Sequence, residues 1–462
     1  MNQKTIKQPI NFEGIGLHTG KHSKITLHPA EPRTGIQFNV KSDDTESTIK
    51  ADLRNAKNSV RCTYLENNSA SVLTVEHLMS ALYGLGITNV NIDVEGEEIP
   101  ILDGSAQMFS KAILEAGIED QDEEVEFFEI DELLHFVDEE TGSEYFAKPY
   151  DRPYFEVSID FDNKEIDFQS ARYFTDQDYN AEIAPARTFV RLEEISPLLN
   201  KGYIKGGSLK NALIISSEDI DASNIESIKE KYGLAEIEVD VNDLQLNSKL
   251  YPNEPARHKL LDFIGDLSLM GKPIKGKLIA NKPGHKSNIA FANYLREHFQ
   301  EKKRLKGMPA YDPNAEPIYD VEGIKKLIPH RYPFLWVDKI IKISDNEVVG
   351  VKNSSYSDWF YQGHFPGNPV FPGVIQMEAL AQTGGILALN TVDDPENWDT
   401  LFLKMDNVKF KHIVRPGDVL IFKMVLLSPV RRGIFHMQGT TYVNNKIASE
   451  GELTAKIIRR EQ

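Results

Sequence analysis

The sequence has 462 residues, of which 40% are hydrophobic and 26% charged, and its net charge is −18. This balance is typical of a globular protein and excludes a coiled coil, a collagen-like chain and wholesale disorder. A chain of this length holds about two or three domains. The acidic charge argues against a general nucleic-acid binder.

The sequence also limits which membrane segments and which cysteine-based sites the protein can contain. No apolar run reaches the roughly 18 residues that span a bilayer, and the first twelve residues lack the apolar core of a signal peptide. Cys62 is the only cysteine, which excludes disulfides within the chain and zinc sites built from several cysteines. We therefore expect a cytoplasmic protein without a membrane span.

Charge divides the chain into two parts. Residues 318–462 hold 17 basic and 16 acidic residues, which leaves 35 basic and 54 acidic residues for 1–317. The break coincides with 301–317, which is charged, then proline-rich, and lacks periodicity, as in a linker. A surface loop inside one domain is the alternative, but 17 residues would be long for one.

The hydrophobic pattern predicts mixed structure before this break. A helix is indicated at 72–85, a strand at 89–94 and a helix at 254–270, the last starting near Pro255. The acidic stretch 119–140 indicates a solvated boundary or surface ribbon. No internal repeat is visible in the sequence.

Strands dominate after the break. An apolar-rich strand is indicated at 418–427, and apolar and polar residues alternate at 452–457. One helix, at 372–390, interrupts these strands, with Pro372 and Gly373 at its start.

Three segments of the first part concentrate metal-binding chemistry. His258 and Asp262 stand four residues apart, on one face of the predicted helix. With His77 they would complete the three protein ligands of an open catalytic zinc site. Glu76, beside one ligand, could take a proton from water, and His285 could donate one to a leaving amine. Histidine and aspartate at this spacing are common on helices without a metal, so spacing alone leaves both readings open.

The first part resembles the zinc-dependent UDP-3-O-acyl-N-acetylglucosamine deacetylases of lipid A biosynthesis. The motifs that carry the resemblance run in the family order: 14–20 (GIGLHTG), 74–78 (TVEHL), 99–105 (IPILDGS), 186–189 (ARTF), 206–208 (GGS), 258–266 and 284–285. The resemblance implies an α+β fold with two βααβ-type domains, 1–125 and 126–300, packed face to face with one zinc ion between them.

The same resemblance assigns roles to individual residues. It makes His77, His258 and Asp262 the zinc ligands, Glu76 the general base and His285 the electrostatic or general-acid partner. It also implies the following roles: Asp266 holds and charges His285, Thr188 hydrogen-bonds the tetrahedral oxyanion, Phe189 and Lys259 contact substrate, and 195–209 forms an acyl-chain passage. A plain helix with core residues would also explain the last segment.

The second part carries a different constellation. Gly363 to Pro369 (GHFPGNP) is followed by Phe371 to Gln382, and Glu378 shares an apolar helix face with Val374 and Ile375. A carboxylate on such a face is costly unless it has a task or a partner, which makes Glu378 a candidate. A glutamate at a helix edge with its tip in water is the alternative.

This part resembles the hotdog-fold (3R)-hydroxyacyl-acyl-carrier-protein dehydratases of fatty-acid biosynthesis over 318–462. Residues 327–335 (LIPHRYPFL), with Val337 and Asp338, match the opening motif of that family, and the 14-residue spacing of His364 and Glu378 matches its site. Glutamate at 378, rather than aspartate, favours the simple dehydratase over the dehydratase/isomerase type. The implied fold is an antiparallel sheet wrapped around a central helix.

The implied mechanism is an elimination that needs no cofactor. His364 removes the proton α to the thioester, Glu378 protonates or orients the departing hydroxyl, and the amide of Gly373 polarises the thioester carbonyl. Five basic residues could receive the acidic acyl carrier protein: Lys409, Lys411, Arg415, Arg431 and Arg432. They could equally be ordinary surface residues.

The sequence therefore predicts a fusion of two enzymes that act on a UDP-acylglucosamine and on hydroxyacyl carrier protein. A homo-oligomer through the hotdog part, a dimer or a trimer of dimers, is expected. Two rival interpretations are a scaffold that has lost its chemistry and a general amidohydrolase fused to a hotdog thioesterase. Loss of a named residue would favour the scaffold, and none is lost; assaying thioester hydrolysis against dehydration separates the enzymes.

Overall fold

The computed structural model describes residues 1–42, 45–57, 61–161, 166–305 and 307–460. The chain divides into two compact units, Met1–Phe299 and Gln300–Gln462. Among the described residues, no helix has both the length and the apolar character needed to cross a membrane.

The first half of unit 1 consists of a five-stranded sheet, two helices and two smaller sheets of three and two strands. Its elements are β1 (Asn2–Ile6), β2 (Ile10–Ile15), β3 (His22–Pro29), β4 (Ile36–Ser42), β5 (Thr45–Lys50), β6 (Ala56–Lys57), β7 (Tyr64–Glu66), β8 (Ser71–Val72), α1 (Glu76–Gly84), β9 (Val90–Glu95), α2 (Gln107–Ala116) and β10 (Ile118–Glu124).

The second half of unit 1 begins at residue 128. Its elements are β11 (Phe128–Glu129), β12 (Leu134–Asp138), β13 (Ser143–Lys148), β14 (Pro153–Ile159), β15 (Gln169–Phe174), α3 (Tyr179–Glu182), β16 (Phe189–Arg191), α4 (Leu192–Asn200), β17 (Leu213–Ile215), α5 (Ile225–Lys231), a 3-10 helix (Val241–Asn247), α6 (Glu254–Ser268), β18 (Ile274–Asn281) and α7 (His285–Leu305).

The two halves repeat one topology. The strand orders are β2-β3-β9-β4-β5 and β12-β13-β18-β14-β15, and in each sheet the central strand is antiparallel to one neighbour and parallel to the other. Helix α1 of the first half packs against α6 of the second, and one hydrophobic core runs through both halves. The expected pair of α+β domains is confirmed, and it is a structural repeat that the sequence did not reveal.

Helix α1 starts four residues later than its hydrophobic pattern predicts. Val72 lies in β8, which pairs with β7, and Leu73 forms a bridge to Glu98. Thr74 has a φ of 60°, a left-handed conformation that cannot continue a helix. The helix therefore begins at Glu76, and its first turn carries two predicted site residues.

Unit 2 forms the expected hotdog fold. Its elements are α8 (Val321–Leu327), β19 (Lys339–Ile343), β20 (Glu347–Asn353), a 3-10 helix (Trp359–Gln362), α9 (Gly373–Leu389), a 3-10 helix (Pro395–Asn397), β21 (Trp398–Phe410), β22 (Val419–Leu426), β23 (Ile434–Val443) and β24 (Lys446–Arg459).

The sheet of unit 2 is antiparallel and wraps the central helix. Its order is β19-β20-β22-β23-β24-β21, and α9 contacts β20 to β24. Strand β21 lies at one edge of this sheet.

The segment expected to be a linker has structure at its start. Helix α7 extends to Leu305, and Met308 and Tyr311 pack against a small apolar cluster on the sheet of unit 2. Residues 312–316 are exposed and lie in turns or irregular structure. Among the described residues of this segment, 312–316 form the exposed, irregular stretch that agrees with a linker.

Candidate active sites

The contact between α1 and α6 brings together the three predicted metal ligands. His77, His258 and Asp262 are buried, and one candidate ligand atom from each lies within 4.8 Å of the other two. Asp262 Oδ1 is 3.4 Å from His258 Nε2 and 3.8 Å from His77 Nε2. Two nitrogen donors and one carboxylate match the donor set of a catalytic zinc site.

The hydrogen bonds of these side chains leave lone pairs for a cation. His258 Nδ1 lies 3.1 Å from the carbonyl oxygen of Ala186; a carbonyl only accepts, so Nδ1 carries the proton and Nε2 has a free lone pair. Within the part of the chain that the structure describes, His77 Nδ1 and Asp262 Oδ1 are buried without a hydrogen-bond partner. Buried polar atoms left in this way are costly, and a bound cation would satisfy the Asp262 oxygen.

Glu76 and His285 lie beside the ligands and next to each other. His285 Nε2 is 3.8 Å from Glu76 Oε1 and 3.7 Å from Asp262 Oδ2. His285 Nδ1 lies 3.0 Å from Asp266 Oδ2, which also accepts a 2.8 Å hydrogen bond from Asn288 Nδ2. Asp266 therefore fixes the His285 ring with Nε2 directed at the ligands.

Burial and mutual charge set the protonation states of this cluster. Burial raises the pKa of Glu76 to about 8 and, with a neighbouring imidazole, lowers that of His77 to about 3. Burial acts to lower the pKa of His285, but the carboxylates of Asp266, Asp262 and Glu76 outweigh it and raise this pKa to about 9. His77 is therefore neutral at pH 7, as a metal ligand must be, and His285 carries a proton.

The remaining predicted residues of unit 1 lie on the wall of the same cavity, which has a volume of about 290 Å³. Thr188 is fixed by backbone hydrogen bonds to Gly104 and Leu213. The Phe189 ring is edge-on to His258, with centroids 6.1 Å apart. Lys259 Nζ donates to Asp262 Oδ2 at 3.0 Å, so in this structure it contacts a predicted metal ligand.

An apolar cavity of about 370 Å³ shares Thr188 and Phe189 with the first. Ile195 and Leu199 of α4 line it, as do Ile204 and Leu209. The segment 195–209 is thus partly helix and its apolar side chains face a cavity, and its role as an acyl-chain passage stays a prediction. A larger cavity of about 680 Å³ lies at the other ends of α1 and α6 and contains none of the predicted site residues.

In unit 2, His364 is half-buried in the loop before α9. Its Nδ1 lies 2.8 Å from the carbonyl oxygen of Val370. As for His258, the carbonyl requires the proton on Nδ1, which leaves Nε2 free to accept a proton.

Glu378 lies on α9 and its side chain is 32% exposed. It accepts a 2.9 Å hydrogen bond from Gln382 and lies 3.6 Å from His330 Nε2. In the described part of unit 2, no hydrogen bond or ion pair joins Glu378 to His364. Gly373 begins α9, and a Cβ there would lie 2.6 Å from the Phe410 ring.

The five predicted docking bases do not form one group. Lys411 pairs with Glu450 near the start of β24, and Arg415 donates to Asn368 in the loop after His364. Arg431 and Arg432 lie in the β22–β23 connection. Next to them, the Gly433 carbonyl oxygen accepts a hydrogen bond from the Ile457 amide. Residues 450 and 457 are about 23 Å apart along a strand, so only Lys409, Lys411 and Arg415 lie at the His364 end of the sheet.

Comparison with known proteins assigns a family to each unit. Residues 3–230 and 237–297 match the model of the UDP-3-O-acyl N-acetylglycosamine deacetylase family, LpxC. Residues 328–452 match the FabA-like domain. A Bacteroides thetaiotaomicron protein named "Bifunctional enzyme LpxC/FabZ" is 42% identical over 464 residues, which cover all of both chains.

The chain belongs to the bifunctional LpxC/FabZ enzymes. Proteins of the same name from Porphyromonas gingivalis and Chlorobaculum tepidum are 41% and 36% identical over all of this chain and 99% of their own lengths. A Thermodesulfovibrio yellowstonii protein named "UDP-3-O-acyl-N-acetylglucosamine deacetylase" is 40% identical over 64% of this chain and 92% of its own length. The two sequence resemblances, and the prediction that they are fused, are confirmed.

The structure adds site residues that the sequence analysis did not single out. Thr63 donates a side-chain hydrogen bond to Asp266 and its backbone amide to Glu76 at 3.1 Å. Asn288 also supports Asp266. The cavity lined by the three predicted ligands, the metal cavity, also includes His18. The motif 14–20 could have drawn attention to His18, whereas no local pattern marks Thr63 or Asn288.

Proposed function

We propose that this protein is a bifunctional enzyme. Its first unit hydrolyses the N-acetyl group of UDP-3-O-[(3R)-3-hydroxyacyl]-N-acetylglucosamine in a zinc-dependent reaction. Its second unit dehydrates (3R)-3-hydroxyacyl-acyl-carrier-protein to the trans-2-enoyl form. The observation that carries the proposal is the buried cluster of His77, His258 and Asp262, with Glu76 and His285 against it, in a member of the LpxC/FabZ family.

The three ligand side chains would hold one zinc ion through two imidazole nitrogens and one carboxylate oxygen. When bound, zinc supplies Lewis-acid chemistry, polarising the acetamide carbonyl and making water more acidic. A nearby cation also lowers the pKa of a carboxyl group, so Glu76 becomes an ionised base. Lys259, bonded to Asp262 at 3.0 Å, orients that ligand.

The protein residues then divide the proton transfers. Glu76 accepts a proton from the attacking water. His285, protonated at neutral pH because of the surrounding carboxylates, donates a proton to the leaving amine, and Asp266 holds its ring in place. Thr188 lies on the cavity wall, where its hydroxyl can donate to the developing oxyanion. The apolar cavity beside it takes the acyl chain.

In the second unit, His364 and Glu378 carry out the elimination. His364 Nε2 accepts the proton α to the thioester, the C–O bond to the 3-hydroxyl breaks, and Glu378 supplies the proton with which that hydroxyl leaves as water. The amide of Gly373, at the start of α9, points its N–H away from the helix and can donate to the thioester carbonyl.

We also propose that two copies of unit 2 pair through β21. This edge strand has 13 residues, and several of its hydrophobic side chains are exposed: Leu401, Phe402, Leu403, Met405 and Phe410. A long apolar edge is a template for pairing with another strand. Pairing would cover the exposed face of α9 and allow His364 of one copy to meet Glu378 of the other. This pairing would give a dimer.

The test is to assay both reactions on the purified full chain, with and without a chelator. Chelation is expected to abolish deacetylation, zinc is expected to restore it, and dehydration is expected to continue. Thioester hydrolysis, measured on the same acyl carrier substrate, should be absent. A folded, zinc-loaded chain that does not deacetylate, or a chelator that stops dehydration without unfolding the protein, would contradict the proposal.

A further inference from the structure

Glu98, between β9 and the motif 99–105, is a buried carboxylate whose surroundings suggest a task. Only 1% of its surface is exposed, and no lysine or arginine pairs with it among the described residues. Burying an unpaired carboxylate is costly unless hydrogen bonds compensate. The donors that compensate here come from two segments, the motif 14–20 and the motif 74–78 at the start of α1.

Both oxygens of this carboxylate are fully engaged. Oε1 accepts from the His18 amide at 2.9 Å and from the Thr74 hydroxyl at 2.7 Å. Oε2 accepts from the Thr19 amide at 2.8 Å and from the Thr19 hydroxyl at 2.8 Å. The His18 N–H also lies 3.2 Å from Oε2 and is shared by the two oxygens, whereas the Thr19 N–H bonds Oε2. A backbone N–H can only donate.

The neighbouring glycine is shaped to this carboxylate. A Cβ at Gly16 would lie 2.2 Å from Glu98 Oε2, a separation that no side chain can occupy. The turn that starts at Gly16 is closed by a 3.0 Å hydrogen bond from the Gly20 amide. The turn and the carboxylate are therefore packed as one piece.

The two segments held by Glu98 both border the metal cavity. His18 and Thr74 line it together with Glu76. Thr74 has a left-handed backbone and lies just before the start of α1. Both ring nitrogens of His18 are buried with no hydrogen-bond partner in the part of the chain that the structure describes. The His18 backbone is held by Glu98 and by the Lys205 amide at 3.4 Å, and the ring lies edge-on to that of Tyr203, with centroids 5.8 Å apart.

We propose that Glu98 is a positioning residue of the deacetylase site. It fixes the Gly16–Gly20 turn against the start of α1 and so places the His18 ring on the cavity wall, without contacting substrate or metal itself. This inference depends on the proposed deacetylase activity and adds to it a residue that acts from outside the cavity.

Glu98→Gln is the sharpest test because it preserves size and removes only the second acceptor. An NH2 group in the Oε2 position would face the Thr19 N–H and could not bond to it. An NH2 group in the Oε1 position would leave the His18 N–H with only its longer, 3.2 Å bond to the remaining oxygen, so the turn is held less firmly in either orientation. We expect kcat/KM for deacetylation to fall about 10- to 100-fold, with unchanged zinc content and unchanged dehydration.

The matched control is Glu97→Gln. Glu97 is the adjacent glutamate, but its side chain is 60% exposed and pairs with Lys21 on the surface. The deacetylase activity of Glu97→Gln should therefore be close to that of the wild type. Hydrogen exchange should be faster in the peptide covering Gly16–Gly20 in Glu98→Gln but not in Glu97→Gln, and α6 should be unchanged in both.

A double-mutant cycle with His18→Ala separates positioning from general stability. If Glu98 acts by placing His18, Glu98→Gln should cost little activity in the His18→Ala background. Should Glu98→Gln not fold, Thr74→Val, which removes one donor, replaces it in the cycle, with Thr74→Ser as the conservative variant that retains activity. Additive losses, or normal activity and exchange in Glu98→Gln, would overturn the inference; a wild-type chain without deacetylase activity would instead refute the proposed function.

Discussion

The two units solve the problem of assembling a polar site in different ways. In unit 1, Glu76, His77, His258, Asp262 and His285 are all buried and within reach of one another. In unit 2, His364 is half-buried, Glu378 is one-third exposed, and no interaction joins them among residues 307–460. One site is enclosed by its own chain, and the other is open.

The difference follows from what covers each helix. In unit 1, the two halves of a structural repeat face each other. The polar start of α1 and the polar residues in the middle of α6 therefore meet inside the protein. In unit 2, one sheet wraps one helix and leaves the face with Val374, which is 73% exposed, without cover. In our proposal, a cation satisfies the buried atoms of the enclosed site, and a second copy completes the open site.

The largest expected effect is the loss of a metal ligand. His258→Ala removes one of the three proposed ligands, so zinc content measured by elemental analysis should drop and deacetylation should be abolished. Dehydration should be unchanged, because it belongs to the other unit. A zinc-loaded, active His258→Ala protein would show that the ligand set is wrong.

Glu76→Gln should separate chemistry from metal binding. This substitution keeps the shape of the side chain but cannot accept the proton of the attacking water, so deacetylation should fall about 10²- to 10⁴-fold. Zinc content should equal that of the wild type. If zinc is lost together with activity, Glu76 acts on the metal and is not a base.

The open site of unit 2 should show complementation between copies. His364→Ala and Glu378→Ala should each lack dehydration. When the two are co-expressed, random pairing makes about half of all dimers mixed, and each mixed dimer has one intact site of two. About a quarter of the wild-type dehydration rate should therefore return, measured as formation of the enoyl product.

Deacetylation serves as the folding control for that experiment, since it should be near normal in every combination. Verified mixed dimers that recover no dehydration would place His364 and Glu378 in the same copy or show that one of them is misassigned.

The smallest effect concerns the connection between the units, for which we propose a linker and domains at 1–125, 126–300 and 318–462. An elastase-type protease, which cleaves after small residues, should cut first after Ala315, in the exposed stretch 312–316, rather than in α7 or beside Tyr311. Both activities should survive the cut. Inactive or aggregated fragments would mean that the units share a core.

Much of the site could be predicted because its residues lie in local patterns. The spacing of His258 and Asp262 places both on one helix face, and α6 and α9 were predicted within two residues of their ends. The start of α1 was wrong by four residues because Thr74 adopts a left-handed backbone, which the hydrophobic pattern around it does not report.

The sequence by itself determined the division of charge, the two families and the helices that carry His258, Asp262 and Glu378. Only the tertiary structure decided that Thr63 joins Asp266 to Glu76, that Glu98 holds the turn with His18, and that Arg431 lies at the far end of the sheet from His364. Local patterns follow from backbone periodicity, which neighbouring residues set. Contacts between residues that are far apart in sequence depend on which surfaces pack together, and that is fixed only when the whole core forms.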